Sequence, residues 1–240
     1  MISVSHMDML ILAGGLGRRL RGVISDRPKA MAPVAGKPFV EWLLLAFRDQ
    51  GVRRFLFCTG HLADAISDHF EDGRKWDVEI SYSRETEPLG TGGALALASR
   101  RIEADRFFAA NGDSWSGANL PRMLELHDAL PAQATVWLVP VEDPSRYGSV
   151  EVAPDGQIRA FREKSARGGT SLVNGGVYVF ERSFWDATAS DHAISLETEI
   201  LPAMAGQGLY GVVGDGPLLD IGTPEAYAAA EDFFAAARSR

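Results

Sequence analysis

The chain has 240 residues, 46% of them hydrophobic, and a formal net charge of −8; this supplies one buried core, so a single domain over residues 1–240 is expected. The acidic balance argues against a nucleic-acid partner, no apolar stretch reaches the length of a membrane span, and the first residues lack a basic segment leading into an apolar one, so the expectation is a cytoplasmic protein with no membrane partner. One cysteine, Cys58, rules out an internal disulfide and a thiolate metal cluster, and its apolar neighbours assign it to the core.

The apolar run Met9–Leu12 reads as a short buried strand. It leads into Ala13-Gly14-Gly15-Leu16-Gly17-Arg18-Arg19-Leu20, where missing side chains let backbone N–H groups come close to an anion. Arg19 can fork two donors onto phosphate oxygens. Lys29, in Pro28-Lys29-Ala30-Met31-Ala32-Pro33-Val34-Ala35-Gly36-Lys37-Pro38, adds a mobile point charge. In an acidic chain, the basic residues between Arg18 and Lys37 read as a local cradle for a small polyanion such as a triphosphate. The loop is not a dinucleotide fingerprint, because Leu20 stands where a third small residue is required and no acidic residue closes the next strand, Phe55–Thr59. Nor is it a Walker loop, because Pro38 follows Gly36-Lys37 where a metal-binding hydroxyl belongs.

Strand-like runs at Phe55–Thr59, Glu79–Ser83, Phe107–Asn111 and Ala134–Val139 alternate with helical stretches at Phe39–Gln50, Leu62–Phe70, Gly92–Arg101 and Leu120–Leu130. This rhythm predicts an α/β fold with a mostly parallel sheet flanked by helices. After Pro140 come strand-like segments at Gly148–Val152, Ile158–Glu163 and Gly175–Phe180, with Pro154-Asp155-Gly156 as a hairpin turn. This later half is expected to form the substrate side. The last predicted helix, Pro224–Ala237, opens on Thr223-Pro224, an N-cap followed by proline at the first helical position.

Asn111-Gly112-Asp113 follows a buried strand, which puts Asp113 at the carboxyl edge where α/β sheets bind ligands. It is a candidate Mg2+ ligand. Magnesium takes only one or two protein carboxylates, so a second, distant aspartate is expected. The plain alternative for such an aspartate is a turn or a helix cap. His61, His69, His127 and His192 show no ligand spacing and no serine sits in a nucleophile elbow, which argues against zinc and hydrolase chemistry.

The glycine loop and the Pro28–Pro38 stretch resemble the signature of the sugar-1-phosphate nucleotidyltransferase family, in which G-G-x-G-T-R-L precedes P-K-x-M-x-P-V-x-G-K-P; Arg18 replaces its threonine. The resemblance implies a Rossmann-like sheet of the nucleotide-diphospho-sugar transferase type. About residues 8–113 would hold nucleotide and about 114–240 the sugar phosphate. No hexapeptide period marks a C-terminal β-helix. The resemblance assigns Arg19 and Lys29 to catalysis and Asp113 and Asp220 to Mg2+. It assigns Leu12, Ala13, Gly14, Gly15, Gly17, Pro88, Gly90, Thr91 and Asn111 to the nucleotide, and Arg18, at the family's threonine, would either add a phosphate contact there or point to solvent. Guanine presents two adjacent donors, and Glu85 or Glu87 could accept them; a solvated acidic turn is the plain reading of either. Gly92 stands where the family more often has alanine. Gly112, Tyr147, Gly148, Glu163, Lys164, Asn174 and Gly175 fall on the sugar phosphate. Without the resemblance, Glu163 and Lys164 would read as surface charges. Trp42 and Trp137 are assigned to the core, and Trp115 to a wall of the sugar site.

Within the family, the combination of Leu20-Arg21-x-Val23, Asp26-x-Pro28-Lys29, Glu87 to Ala94 and Arg146-Tyr147-Gly148 most resembles the D-glycero-α-D-manno-heptose 1-phosphate guanylyltransferases. This implies GTP and a heptose 1-phosphate as substrates and is compatible with a homo-oligomer. Mannose-1-phosphate guanylyl transfer and N-acetylmuramate-1-phosphate uridylyl transfer are the enzymatic alternatives. A catalytically silent sugar-nucleotide sensor is the alternative from another class, and the presence of Arg19, Lys29, Asp113 and Asp220 together favours an enzyme.

Overall fold

A computed structural model of the chain describes residues 3–15, 26–144, 147–162, 170–188 and 192–238. Four parallel strands form its centre: β1 (Asp8–Leu12), β4 (Arg54–Thr59), β5 (Glu79–Arg84) and β6 (Arg106–Asn111), side by side in the order β5-β4-β1-β6. Beyond β6 the sheet continues through β11 (Ser171–Glu181), β8 (Ala134–Val141) and β12 (Leu209–Val213). Along this row only β11 runs against its neighbours, which confirms the mostly parallel sheet. The hairpin β9 (Ser149–Val152) and β10 (Ile158–Arg162) joins the first half of β11 through Val173 and Ser149, giving nine strands in all. The later half of the chain therefore extends the first sheet instead of building its own.

Helices cover both faces, and the strand sequences show why. In β4, Phe55 and Phe57 face one cluster while Leu56 and Cys58 face the other; in β6, Phe108 and Ala110 alternate with Phe107 and Ala109 in the same way. A strand buried on both sides is apolar at every position, as a sheet with helices on both faces requires. The first face packs on α1 (Phe39–Asp49), α2 (Asp64–Phe70), α4 (Leu120–Ala129) and α7 (Pro224–Arg238). The second packs on α3 (Gly90–Ser99), α5 (Arg182–Thr188), a π-helical turn at Leu196–Ile200 and α6 (Leu201–Met204). In α1 the buried Phe39, Val40, Leu43, Leu44 and Phe47 recur at helical spacing. Gln50, just past its end, donates to Ala118 O and accepts from Leu120 N, tying α1 to the start of α4. Asn119 caps α4 through Arg122 N, and Thr223 caps α7 through Ala226 N as its sequence predicts.

Two small ladders lie outside the sheet. The hairpin β2 (Pro33–Val34) and β3 (Lys37–Pro38) follows a 3-10 turn at Lys29–Met31, and β7 (Ser114–Trp115) pairs antiparallel with β13 (Leu219–Asp220). The helix predicted to begin at Leu62 starts instead at Asp64, because Leu62 takes a positive φ of 57° that no α-helix contains. Trp115 lies against the last helix. Its ring is half-buried and packs on Phe233 and edge-on to Phe234 of α7, at 6.3 and 5.1 Å.

Candidate active site

The carboxyl ends of the parallel strands place the predicted residues along one edge. Hydrogen bonds continue past the ladder there, from Ala13 N to Cys58 O, Gly112 N to Leu12 O and Glu85 N to Thr59 O, so the first residue of each loop is held as firmly as its strand. Leu12, Ala13, Gly14, Asn111 and Gly112 thereby come together. A Cβ on Gly112 would sit 2.7 Å from Leu12 O, so that position demands glycine to let the loops close up, and one on Gly14 would be a tight 3.2 Å from Gly60 N. Among the described residues, nothing lies within 4 Å of a Cβ added at Gly15. Leu16, Gly17, Arg18 and Arg19, expected to complete this loop, lie outside the described residues, as do Arg146, Glu163 and Lys164.

The structure separates the two acidic alternatives. Glu85 leaves the end of β5 half-buried, with Oε2 accepting from Leu89 N at 3.1 Å and Oε1 beside Gly14 and Gly60; a Cβ on Gly60 would lie 2.5 Å from that oxygen. Burial raises its pKa, opposed by the Leu89 hydrogen bond. Glu87 and Pro88 are exposed on the rim. Gly60 was not singled out from the sequence, although its place directly after β4 was the available signal.

Thr91, at the start of α3, is engaged by the chain's later half. Its hydroxyl donates to Glu197 Oε2 at 2.7 Å and accepts from Leu196 N at 2.8 Å, fastening α3 to the π-helical turn. Gly90, at φ +70°, and Gly92 make room for the same neighbour: added Cβ atoms would meet Ile194 O at 2.5 Å and Ile200 Cδ1 at 2.5 Å. A Cβ at 92 would press on the flexible end of Ile200 and come to 3.1 Å from Ile194. Nothing in the sequence pattern pointed to Ile194 or Glu197, because they approach from a segment a hundred residues away.

Lys29, Asp113 and Asp220 form one cluster. The ladder of β7 and β13 sets Asp220 opposite Ser114, and Ile221 N donates to Asp113 O at 3.2 Å, so two carboxylates distant in sequence meet beyond β6. Lys29 Nζ donates to Asp113 Oδ2 at 2.7 Å and to Asp220 Oδ1 at 3.0 Å, with its side chain 11% exposed. Ser114 Oγ donates to Asp113 Oδ1 and Gly222 N to Asp220 Oδ1. Two hard anionic oxygen donors around one ammonium leave an excess of one negative charge at a partly open edge. That donor set suits Mg2+ shared with phosphates, so the residues present fit the group the sequence implies.

Lys37 belongs to a different environment. It pairs with Glu41 at 3.4 Å and lies 4.6 Å above the Trp42 ring, while His69 Nε2 contacts Glu41 at 2.8 Å. This lysine of the predicted basic stretch braces the β2–β3 hairpin on α1 and does not reach the anion edge.

Asn174 and Gly175, which the resemblance assigns to the sugar phosphate, sit at a bulge in β11 beside Asn111, because the antiparallel register sets Val177 against Ala110. A Cβ on Gly175 would lie 2.9 Å from Trp137 O, and one on Gly148 2.9 Å from Arg162 O. Tyr147 is half-buried and packs on the first core cluster.

An α/β sheet with a glycine loop, two convergent carboxylates and a lysine at its carboxyl edge is the architecture of a nucleotide-binding transferase, and the chain belongs to the Nucleotidyl transferase family, which it matches over residues 8–237. It is 34% identical over 226 residues to the D-glycero-alpha-D-manno-heptose 1-phosphate guanylyltransferase of Aneurinibacillus thermoaerophilus, covering 94% of this chain and 97% of that protein. It is 35% identical to the mannose-1-phosphate guanylyltransferase of Mycobacterium tuberculosis, of whose length it spans only 63%. The crystal structure of HddC from Yersinia pseudotuberculosis complexed with GMP-PN is similar at a TM-score of 0.85 and 34% identity, over 95% of this chain and 99% of HddC.

Proposed function

We propose that this protein transfers the guanylyl group of GTP to D-glycero-α-D-manno-heptose 1-phosphate, forming GDP-heptose and pyrophosphate. The convergence of Lys29, Asp113 and Asp220 beyond the end of β6 carries the nucleotidyl-transfer reading. Glu85 beside Gly14 supports guanine, and end-to-end similarity to the heptose 1-phosphate guanylyltransferase supports the sugar.

The chemistry asks for alignment more than for acid–base catalysis. A sugar 1-phosphate, with a second pKa near ~6, is largely ionised at neutral pH, so its oxygen can attack the α-phosphorus while pyrophosphate leaves. The bond formed is P–O to the sugar phosphate and the bond broken is the α–β bridge, with no proton to remove. Lys29 neutralises the phosphoryl group in transit and Arg19 the departing pyrophosphate. Asp113 and Asp220 would hold Mg2+, which when bound supplies charge neutralisation across the phosphates. Asn174, with Gly175 and Gly148, orients the sugar phosphate.

Pyrophosphate release with Mg2+, testing GTP, UTP, CTP and ATP against heptose, mannose and N-acetylmuramate 1-phosphates, tests this reading. Release with GTP and the heptose phosphate is expected. Preference for mannose 1-phosphate would shift the assignment to a mannose-1-phosphate guanylyltransferase, a reading favoured by the Mycobacterium tuberculosis relative. Nucleotide binding with no release from any pair would favour a silent sensor.

A further inference from the structure

We propose that Tyr178 is a positioning residue of this active site: its buried hydroxyl lies between the side chains of Asn111 and Asn174 and fixes the direction of both amides. The inference rests on the guanylyltransferase reading in taking these asparagines as substrate contacts.

Tyr178 is 0% exposed, on the antiparallel strand β11 opposite Ala109 of β6. Between Asn174 and Tyr178 the register with β8 slips, four residues on β11 facing a two-residue step on β8. Gly176 turns this bulge with φ +73°, and Asn174 Oδ1 accepts from Gly176 N at 2.9 Å. The other end of the Asn174 amide, Nδ2, donates to Tyr178 Oη at 2.8 Å. Both ends of this side chain are therefore committed, one to the bulge and one to the tyrosine.

Asn111 reaches the same hydroxyl from β6. Its side chain packs on Gly176, where a Cβ would stand 3.2 Å from Nδ2, and it is a polar neighbour of Tyr178 Oη. Asn111 Oδ1 is buried without a hydrogen bond among the described residues, while the Tyr178 oxygen already accepts from Asn174 and has its proton left to give. The oxygen and nitrogen of an amide exchange by a half-turn. In that orientation Tyr178 O–H donates to Asn111 Oδ1, and the Asn111 NH2 takes the buried place that Oδ1 held. Burial first, and then the nearby Glu197 charge, hold the tyrosine ionisation well above its ordinary range, so the hydroxyl keeps its proton. A single hydroxyl thus couples the strand preceding Asp113 to the strand carrying Asn174.

The test is steady-state kinetics of Tyr178→Phe, Asn174→Ala and the double variant with GTP and heptose 1-phosphate, well below each melting temperature. Each single change is expected to raise KM for the sugar phosphate about tenfold or more with kcat moved less than about threefold, and the double variant is expected to be no worse than the poorer single. Additive losses, or wild-type KM in Tyr178→Phe, would overturn the proposal. Should that variant not fold, side-chain amide exchange of Asn111 and Asn174 in the wild type decides: slow exchange is expected, and exchange at the rate of an exposed asparagine overturns it. A wild type that releases no pyrophosphate from GTP with either sugar phosphate overturns the functional reading instead. Amide exchange compared between wild type and Tyr178→Phe then still tests the positioning role.

Discussion

Lys29 answers two charges at once, and this gives it separable effects. Lys29→Ala is expected to fold and to lose on the order of 10²–10³ in turnover, as removal of a single electrostatic group does elsewhere; pyrophosphate release measures it. The same variant leaves Asp113 and Asp220 facing each other without their shared cation. Its Mn2+ affinity in the absence of nucleotide is therefore expected to rise about tenfold or more, by the attraction of two adjacent carboxylates for a divalent ion, and electron paramagnetic resonance of free Mn2+ would detect it. An unchanged affinity would mean that the lysine does not compete for that position. Glu85 presents the opposite trade. Its raised folded-state pKa means that its carboxylate form costs stability above that pKa and that its protonated form is favoured below. Glu85→Gln is thus expected to melt no lower than the wild type at pH 7 while GTP affinity falls about 10–100-fold, the worth of a charge-assisted pair of hydrogen bonds to a base edge. Calorimetric titration with GTP and a thermal melt check both halves.

Among the elements, α4 is docked by a buried polar network. His127 Nδ1 contacts Thr135 Oγ1 of β8 at 2.8 Å and Nε2 contacts Glu181 Oε1 of β11 at 3.0 Å, while Arg106 pairs with Glu181 and with Asp128. Burial is the main influence on His127 and lowers its pKa, against the pull of the Glu181 carboxylate. With the folded value below the unfolded one, stability is full above the ordinary histidine range and is lost as pH falls through it toward the folded value. Urea midpoints are expected to decline between about pH 7 and 5, bracketing the unperturbed histidine pKa, and His127→Gln is expected to flatten that decline. A slope unchanged by the substitution would assign it to other groups. The helix pattern of Leu120–Leu130 was readable from its apolar spacing. The network was not, because Thr135, Glu181 and Arg106 come from three strands that meet only in the sheet.

For the molecule as a whole, α7 ties together segments far apart in the chain. Phe234 stacks on Trp42 at 4.7 Å and meets Phe39 and Trp115 edge-on; Glu231 accepts from Ala35 N, and the Tyr227 hydroxyl bonds Pro33 O. The last helix thus braces both the hairpin after Lys29 and the strand after Asp113. Phe234→Ala is expected to cost about 3–5 kcal/mol and to lower Tm by roughly 6–20 °C for a domain of this size, with activity lost over the same temperature range in parallel melts and assays. No helix among the described residues is long and apolar enough to cross a membrane. The sequence by itself determined the alternating α/β order and the mostly parallel sheet, because each is a local pattern of spacing and residue type. Tertiary structure decided which glutamate meets the loop, that Trp115 and Lys37 serve packing, that Thr91 holds the π-helical turn, and that Tyr178 joins Asn111 to Asn174. These depend on contacts between segments separated by scores of residues, whose register is set by how nine strands pair and not by any one of them.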